Sequence, residues 1–213
     1  MLEDHSGVNL GRFFAQWVEE GAGHPEVKVS GSWDGDKRQF ALTLEQTQDL
    51  DHAPLFDLAV PVLAIAADGS EQRWTLALDQ KQQTFHLPLT EAPSQVLVDP
   101  RGDLLWTTEW KLSEPMLRTI LRDGPTAIAR MHAAYALGKR ASAQNVAALG
   151  AALRDDANWC VQLEVARTLG KVGSTAAYAA LAAAVDVAHP KARRAVRAAL
   201  GQYQTAEAGQ LLA

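Results

Sequence analysis

Histidine, cysteine and paired carboxylates are the residues best able to do chemistry, and in this 213-residue chain they are scattered. No two of the six histidines lie within five residues of each other. None can therefore form the i, i+4 pair that presents two imidazoles to zinc on one helix face. The histidines are His5, His24, His52, His86, His132 and His189. We interpret each as solvated or locally hydrogen-bonded, and the sequence predicts no metal site and no cofactor in this chain.

The candidate nucleophiles and carboxylates also lack partners. Cys160, the only cysteine, follows Trp159 in a predicted helix with no basic residue beside it, so we interpret it as a small buried side chain. The acidic pairs fall in predicted turns, where Asp commonly caps the backbone: Asp34/Asp36, Asp49/Asp51 and Asp155/Asp156. Gly21-Ala22-Gly23 follows a predicted helix instead of opening one, unlike a phosphate-binding loop. The sequence therefore predicts no catalytic residue.

One charged cluster could contact a ligand or partner: Lys191, Arg193, Arg194 and Arg197. On a helix, Arg193 and Arg197 share one face, and the other two share an adjoining face. A solvated face is the interpretation we favour. The alternatives are that the cluster holds a peptide carboxylate or acidic residues of a neighbouring domain. Phosphates of a nucleic acid are disfavoured because no aromatic residues are interleaved and the sequence pI is about 5.7.

The elements carrying these residues change in type near residue 112. Residues 113–213 contain 28 alanines, against 10 in residues 1–112, and alanine favours helices. Leu137-Gly138, Leu169-Gly170 and Leu200-Gly201 recur at intervals of 32 and 31 residues. Small apolar residues repeat in phase before each leucine: Ala129, Val161 and Ala192 eight positions earlier, and Ala133, Val165 and Val196 four positions earlier. This period predicts HEAT-like stacked helical hairpins.

The helix boundaries follow from caps and breakers. We expect helices over 115–122, 125–139, 143–153, 158–171, 174–187 and 190–202, with a final short helix to Leu211. Pro125 and Pro190 are predicted to occupy first-turn positions, where the missing N–H costs nothing. Any ligand would then meet the concave side of the repeats.

Before residue 112 the apolar period is two, as at Val27 and Val29, which is typical of strands with one buried face. About seven short strands separated by turn residues predict an antiparallel β-sandwich. The segment from Leu58 to Ala66 is apolar on both faces and is predicted to be a central strand. A hairpin through Asp68-Gly69 should join it to the strand containing Trp74.

The first segment, from Asn9 to Glu20, predicts a helix with Asn9 as its N-cap. Phe13, Phe14 and Trp17 fall on one apolar stripe, followed by Gly21, Gly23 and Pro25 as breakers. Three aromatics on one short helix need an apolar partner. One alternative is that the following strands supply part of that partner. The interpretation we favour is that it lies upstream of this chain, so these three residues are predicted to pack against another domain.

Charge and composition bound the class of protein. Residues 1–112 carry 8 Lys and Arg against 18 Asp and Glu, and residues 113–213 carry 12 against 7. The favoured interpretation is that the two halves pack together; the alternative is that each has its own partner. A single cysteine fits a reducing, cytoplasmic compartment. The longest apolar run, ten residues interrupted by Pro61, is too short to span a membrane, and no secretory signal is visible.

The order of these parts resembles the C-terminal region of the aminopeptidase N family of zinc metallopeptidases. The resemblance is carried by four elements: Phe13-Phe14-Ala15-Gln16-Trp17, Gly23-His24-Pro25, Gln46-Thr47-Gln48 and Val98-Asp99-Pro100. In that family the aromatic helix closes the catalytic domain, a β-sandwich follows, and helical repeats come last. The resemblance covers essentially the whole chain.

The resemblance implies three parts. Residues 1–24 would be the terminal helix of an upstream catalytic domain, residues 25–112 an antiparallel β-sandwich, and residues 113–213 HEAT-like α-helical repeats. The family's His-Glu-x-x-His zinc motif and Gly-x-Met-Glu-Asn motif are absent from this chain, so zinc and catalysis are expected in the parent protein alone. The implied partners are the catalytic domain and the parent's peptide substrate, whose chamber this region would enclose. The competing hypothesis is a stand-alone protein- or peptide-binding HEAT adaptor; membrane binding is not expected.

Overall fold

The structure is a computed structural model. It describes His5, Gly7, residues 9–19, residues 23–203 and Gly209, with Arg12 described by its backbone alone. In this part of the chain a short helix is followed by seven strands and then by six longer helices. The predicted fold class, an antiparallel β-sandwich followed by an α-helical HEAT-like repeat solenoid, is confirmed. The division into parts at residues 25 and 113 stays a prediction.

The first helix, α1, comprises Gly11–Phe14 and continues as a π-helical segment over Ala15–Glu19. Asn9 Oδ1 accepts a hydrogen bond from the Gly11 amide at 2.9 Å, so Asn9 caps the helix as predicted. The predicted end of the helix at Glu20 lies outside the described residues.

Two facing sheets form the β-sandwich. The strands are β1 Glu26–Asp34, β2 Gln39–Gln46, β3 Leu58–Ile65, β4 Glu71–Leu78, β5 Gln82–Pro88, β6 Gln95–Val98 and β7 Thr107–Lys111. One sheet has the order β5-β2-β1-β7 and the other β4-β3-β6. Strand β3 is central, as predicted, and the turn that joins it to β4 contains Gly69 at φ 87°.

One strand pair departs from the predicted antiparallel arrangement. Strand β7 pairs with β1 in parallel, with Val29 opposite Trp110. The reason lies in the connection: β7 follows β6, which belongs to the other sheet, so the chain crosses the sandwich before it reaches β1. A crossing of this kind permits parallel pairing, whereas a hairpin permits only the antiparallel arrangement.

The crossing segment also joins the sandwich to the helices. Asp99 is buried at φ 47°, and its carboxylate accepts hydrogen bonds from the amides of Asp103 at 2.8 Å and Leu104 at 3.0 Å. The Thr126 hydroxyl donates to the carbonyl oxygen of Pro100. Gly102 packs so closely on Ile128 that a Cβ there would lie 2.5 Å from Ile128 Cδ1. This turn therefore determines where the first repeat begins.

Six helices build the solenoid: α2 Glu114–Asp123, α3 Ala127–Gly138, α4 Ala143–Asp155, α5 Trp159–Val172, α6 Thr175–Ala182 and α7 Pro190–Leu200, with a 3₁₀ turn over Gly201–Tyr203. Five of them begin at a Ser, Thr or Asn whose side chain accepts a backbone amide of the first turn. Helices α3, α5 and α7 stack in one layer, and α2, α4 and α6 stack in the other.

The in-phase residues of the repeat form the core of the solenoid. Leu137, Leu169 and Leu200 have no exposed surface, and the six smaller residues predicted with them are at most 1% exposed. The glycine after the first leucine permits close helix approach, since a Cβ on Gly138 would lie 2.1 Å from Thr168 Cγ2. The predicted core stripe is confirmed.

Three helix predictions need correction or lie beyond the description. Pro190 does occupy the first turn of α7, but Pro125 precedes the N-cap Thr126 and lies outside α3. Helix α6 ends at Ala182 instead of residue 187. The chain there tightens into i→i+3 bonds, such as Val185 to Ala182 at 3.4 Å. The predicted helix up to Leu211 lies outside the described residues apart from Gly209. No helix in the described ranges is both long and apolar enough to cross a membrane.

Candidate functional site

Helix α1 is held to the sandwich by Gln16. Its side-chain amide forms two hydrogen bonds with the backbone of Asp57: it accepts from the Asp57 amide at 2.7 Å and donates to the Asp57 carbonyl at 3.3 Å. An amide side chain that pairs with both backbone groups of one residue fixes position and orientation together. The helix therefore has one defined side against the loop that precedes β3.

Two further glutamines hold the segment that receives α1. Gln46 is fully buried; it accepts from the Phe56 amide at 2.9 Å and donates to the Phe56 carbonyl at 2.8 Å. Gln48 donates to Gln46 Oε1 at 3.0 Å and to the Pro54 carbonyl at 2.9 Å. Trp17 then packs on Phe56, with ring centroids 5.2 Å apart. These glutamines have a structural role: they pair backbone groups of the loop that precedes β3.

Three other apolar side chains of α1 are exposed. Phe13 is 54% exposed, Phe14 is 36% exposed and Val18 is 67% exposed. The two phenylalanine rings contact each other edge to face, with centroids 5.6 Å apart. We call these three residues the apolar face of α1. The three aromatics predicted to pack against another domain are thus divided, since Trp17 is used within this chain.

The predicted basic cluster is divided as well. The Arg193 guanidinium donates to the carbonyls of Val187 at 2.8 Å and Ala188 at 3.0 Å, so it closes the loop between α6 and α7. Arg197 is exposed and does not line the groove described next. The structure brings together only Lys191 and Arg194 of the four.

These two side chains line a groove between α5 and α7 of about 490 Å³. Arg167 of α5 lines it opposite them, and its floor is apolar: Leu163, Ala195 and Ala198. We call this the basic groove. Sequence reasoning missed Arg167 because it treated α7 by itself. The 31-residue period, which places positions 163 and 194 at the same level of neighbouring helices, is the signal that could have found it.

Aromatic side chains lie beside these cations, contrary to the expectation that none are interleaved. The Trp159 ring stacks on the His189 imidazole at 4.7 Å, and Lys191 Nζ lies 4.7 Å from the Trp159 ring centroid. Along the same layer, Lys139 Nζ and Lys171 Nζ lie 4.9 and 5.8 Å from the Tyr135 ring centroid. The Lys139 contact lies at the end of one helix at a spacing of four residues, but the Lys171, Lys191 and His189 contacts join neighbouring repeats, where spacing along the sequence does not reveal them.

The remaining candidates for chemistry stay apart. Cys160 is half-exposed at the start of α5, not buried as predicted. Asp34 and Asp49 cap their turns, accepting from the amides of Lys37 and Asp51. Asp156 also accepts from a turn amide, that of Asn158 at 2.8 Å, and in addition it forms a buried ion pair with Arg130, with Arg130 Nε and Asp156 Oδ2 2.7 Å apart. Within the described residues no three His, Cys, Asp or Glu side chains lie close enough to hold a metal ion.

His132 of α3 marks the contact between sandwich and solenoid. Its ring stacks on Trp110 of β7 at 5.3 Å, and its Nδ1 lies 3.1 Å from the Thr108 hydroxyl. Burial lowers the pKa of His132, opposed in part by the negative charge of Asp99. Nearby, Lys139 pairs with Glu109 at 2.8 Å, and Lys139 and Lys111 lower the pKa of the Glu109 carboxyl to about 2.

This burial makes stability depend on pH. Because the unfolded chain binds a proton at His132 more readily than the folded one, the free energy of unfolding should fall as pH drops from about 6.5 to the lowered folded pKa. Each unit of lowering corresponds to about 1.4 kcal/mol. Urea unfolding between pH 8 and pH 5 measures this loss. His132→Asn should flatten the slope, whereas replacing the exposed His86 with Gln should not; equal slopes in all three proteins would contradict the prediction.

Comparison with known proteins gives a repeat family and a fold. Residues 114–201 match the model of HEAT repeats. The fold is similar to the crystal structure of Legionella pneumophila aminopeptidase A in complex with aspartic acid, at a TM-score of 0.64 and 13% sequence identity. That match covers 99% of this chain and 31% of the aminopeptidase chain, so this chain spans less than a third of that protein. No curated protein matches the sequence.

Proposed function

We propose that this chain is a non-catalytic region of a zinc aminopeptidase of the aminopeptidase N family. In the full polypeptide, the apolar face of α1 packs against an upstream catalytic domain, and the sandwich and solenoid wall off its peptide chamber. Enclosure excludes water from such a chamber and restricts which peptides enter it. The setting we propose is cytoplasmic.

The observation that carries this proposal is that α1 is attached to the sandwich while its apolar face stays exposed. Gln16 and Trp17 fix the helix against the sandwich, so Phe13 and Phe14 are held out in a defined direction instead of folding inward. Exposed aromatics on a positioned helix indicate an interaction surface. The similarity to an aminopeptidase fold and the resemblance of the aromatic helix support a catalytic domain as the partner.

Zinc belongs to the proposed partner domain. The described residues of this chain offer no cluster of three metal-ligating side chains, so they do not fit a zinc site. The implied role of this chain toward the metal is indirect: it would exclude water and limit access.

The test compares the full polypeptide with this chain alone. Replacing both Phe13 and Phe14 with serine should destabilise the full polypeptide by about 3 kcal/mol, because burying one phenylalanine contributes about 1.5–3 kcal/mol. In this chain alone the same change should cost clearly less, since Phe13 is 54% and Phe14 36% exposed, and no partner domain covers the rest. Thermal and urea unfolding measure both effects.

A matched control is Leu105→Ser, since Leu105 is a 73% exposed apolar residue in the turn before β7 and is not part of the apolar face of α1. It should change neither protein. The proposal fails if the natural gene encodes no upstream domain, or if the full polypeptide tolerates the double serine variant as well as it tolerates Leu105→Ser.

The second candidate function, a stand-alone adaptor that binds a protein or peptide, is favoured by one observation. The basic groove lies open on the solenoid layer formed by α3, α5 and α7. Nucleic-acid binding through Arg193 and Arg197 has less support, because Arg193 is engaged with backbone carbonyls.

A further inference from the structure

One layer of the solenoid carries cations that the protein itself does not neutralise. Arg167, Lys171, Lys191 and Arg194 form no ion pair with any described residue. Elsewhere in the solenoid Arg118, Arg122 and Arg130 each have a carboxylate partner, whereas the exposed Arg154 and Arg197 have none among the described residues but do not line the groove. Arg167, Lys191 and Arg194 line the basic groove, and Lys171 lies one helical turn farther along α5, so this layer forms a surface that attracts anions.

The spacing of these cations along the groove is regular. The 31-residue period aligns Lys191 and Arg194 of α7 with positions 160 and 163 of α5. Arg167 and Lys171 follow farther along α5. At about 1.5 Å of rise per helical residue, successive cations are separated along the helix axis by about 4.5, 6 and 6 Å. Side chains on one side of an extended peptide repeat every two residues, which is about 6.6 Å. Acidic residues at alternate positions of an extended peptide therefore have nearly the same spacing as these four cations.

The surroundings distinguish a peptide from a nucleic acid. The floor of the groove is made of Leu163, Ala195 and Ala198, which suits the methylene stems of glutamate side chains. Single-stranded nucleic acids need open aromatic faces on which bases stack. Here His189 and Lys191 already contact the Trp159 ring, and Lys139 and Lys171 already contact the Tyr135 ring. Neither ring is therefore free for a base to stack on.

From these observations we infer that the basic groove between α5 and α7 binds an extended acidic peptide segment through its side-chain carboxylates. Arg167 and Arg194 are the principal contacts, since a guanidinium can hold a carboxylate with two hydrogen bonds. Lys191 and Lys171 extend the site at its two ends. This site is independent of the apolar face of α1, so it does not depend on the presence of a catalytic domain.

The experiment measures fluorescence anisotropy of a labelled hexapeptide with glutamate at alternate positions, alanine between them and both ends blocked. The whole chain is titrated against it at low and at physiological salt. The double variant Arg167→Gln with Arg194→Gln should bind at least tenfold more weakly. The control removes the same charge outside the groove, at the exposed Arg154 and Arg197, and should change affinity less than threefold. Thermal unfolding confirms that both variants fold.

Three probes test the chemistry of the ligand. The blocked peptide with glutamine in place of glutamate should not bind. If the glutamine peptide with a free carboxyl terminus binds as tightly as the glutamate peptide, a terminal carboxylate is the ligand and the inference is wrong. If an oligodeoxythymidylate with the same number of charges binds more tightly, and the groove variant abolishes that binding, the site is for nucleic acid. If the groove variant and the control variant lose the same amount of affinity for the glutamate peptide, the inference is also wrong, because binding would then depend only on the net charge of the protein.

Discussion

Replacing Gln46 with leucine is expected to lower the free energy of unfolding by about 3 kcal/mol, because each buried polar group left unpaired costs about 1–3 kcal/mol. The side chain is fully buried and is the partner of both the amide and the carbonyl of Phe56. Leucine fills a similar volume but accepts and donates nothing, so both backbone groups lose their partner. Urea unfolding measures the loss.

The same substitution should loosen α1, because Phe56 carries Trp17 and the next residue, Asp57, carries Gln16. Hydrogen exchange at the Asp57 amide should rise in the variant. A suitable control is Gln83→Leu. Gln83 accepts from the amides of Asp79 and Gln80 in a solvent-exposed turn, where water can replace it. A Gln46→Leu protein as stable as the Gln83→Leu protein would contradict the role assigned to Gln46.

A second large loss, of about 3–5 kcal/mol, is expected for Asp156→Ala, because it leaves the Arg130 guanidinium buried without its carboxylate. The two side chains are 16% and 6% exposed and share hydrogen bonds of 2.7 and 3.0 Å. Arg130 also donates to the Gly124 carbonyl at 2.8 Å, so the pair joins the first hairpin to the turn that opens α5. Chemical denaturation of this variant and of wild type measures the difference.

An exposed ion pair provides the comparison. Arg122 and Asp123 are joined at 2.7 Å, but their side chains are 74% and 47% exposed. Asp123→Ala should therefore cost less than about 1 kcal/mol. If Asp156→Ala and Asp123→Ala destabilise the protein equally, burial is not what makes the Arg130 pair important. Replacing Arg130 with Met in the Asp156→Ala background should restore part of the loss, because no charge then remains buried.

The sequence placed Asp156 in a turn without indicating its ion pair with Arg130, and it left the roles of two further polar residues unassigned. The Gln-x-Gln element at Gln46 and the Asp99 turn were noted as parts of a family resemblance. In the structure both side chains form hydrogen bonds with backbone groups. Gln46 pairs with the backbone of Phe56, and Asp99 accepts from the amides of Asp103 and Leu104. Such roles are not visible in a sequence because the paired atoms belong to the backbone of segments four to ten residues away. Any residue type at those positions presents the same amides and carbonyls.

The candidate basic site illustrates the same limit at longer range. A cluster of four basic residues is apparent in α7, but only Lys191 and Arg194 line the groove. Arg193 is committed to two carbonyls of the preceding loop, and Arg167 joins from the neighbouring repeat. The helical period determines only which residues share a face of one helix. Which face meets a groove depends on how the helices stack.

What the sequence determined by itself is the architecture. The two-residue and 31-residue periods place Val27, Leu137 and Leu169 in the core, since the hydrophobic effect requires each apolar stripe to be buried against another. The tertiary structure alone decided which of the predicted contact residues remain available. Phe13 and Phe14 stay exposed while Trp17 is used internally, and Arg194 stays unpaired while Arg193 is not. The physical reason is that periodicity is a local property of the chain, whereas hydrogen bonds and ring contacts of this kind join segments that come together only when the sheets and helices pack.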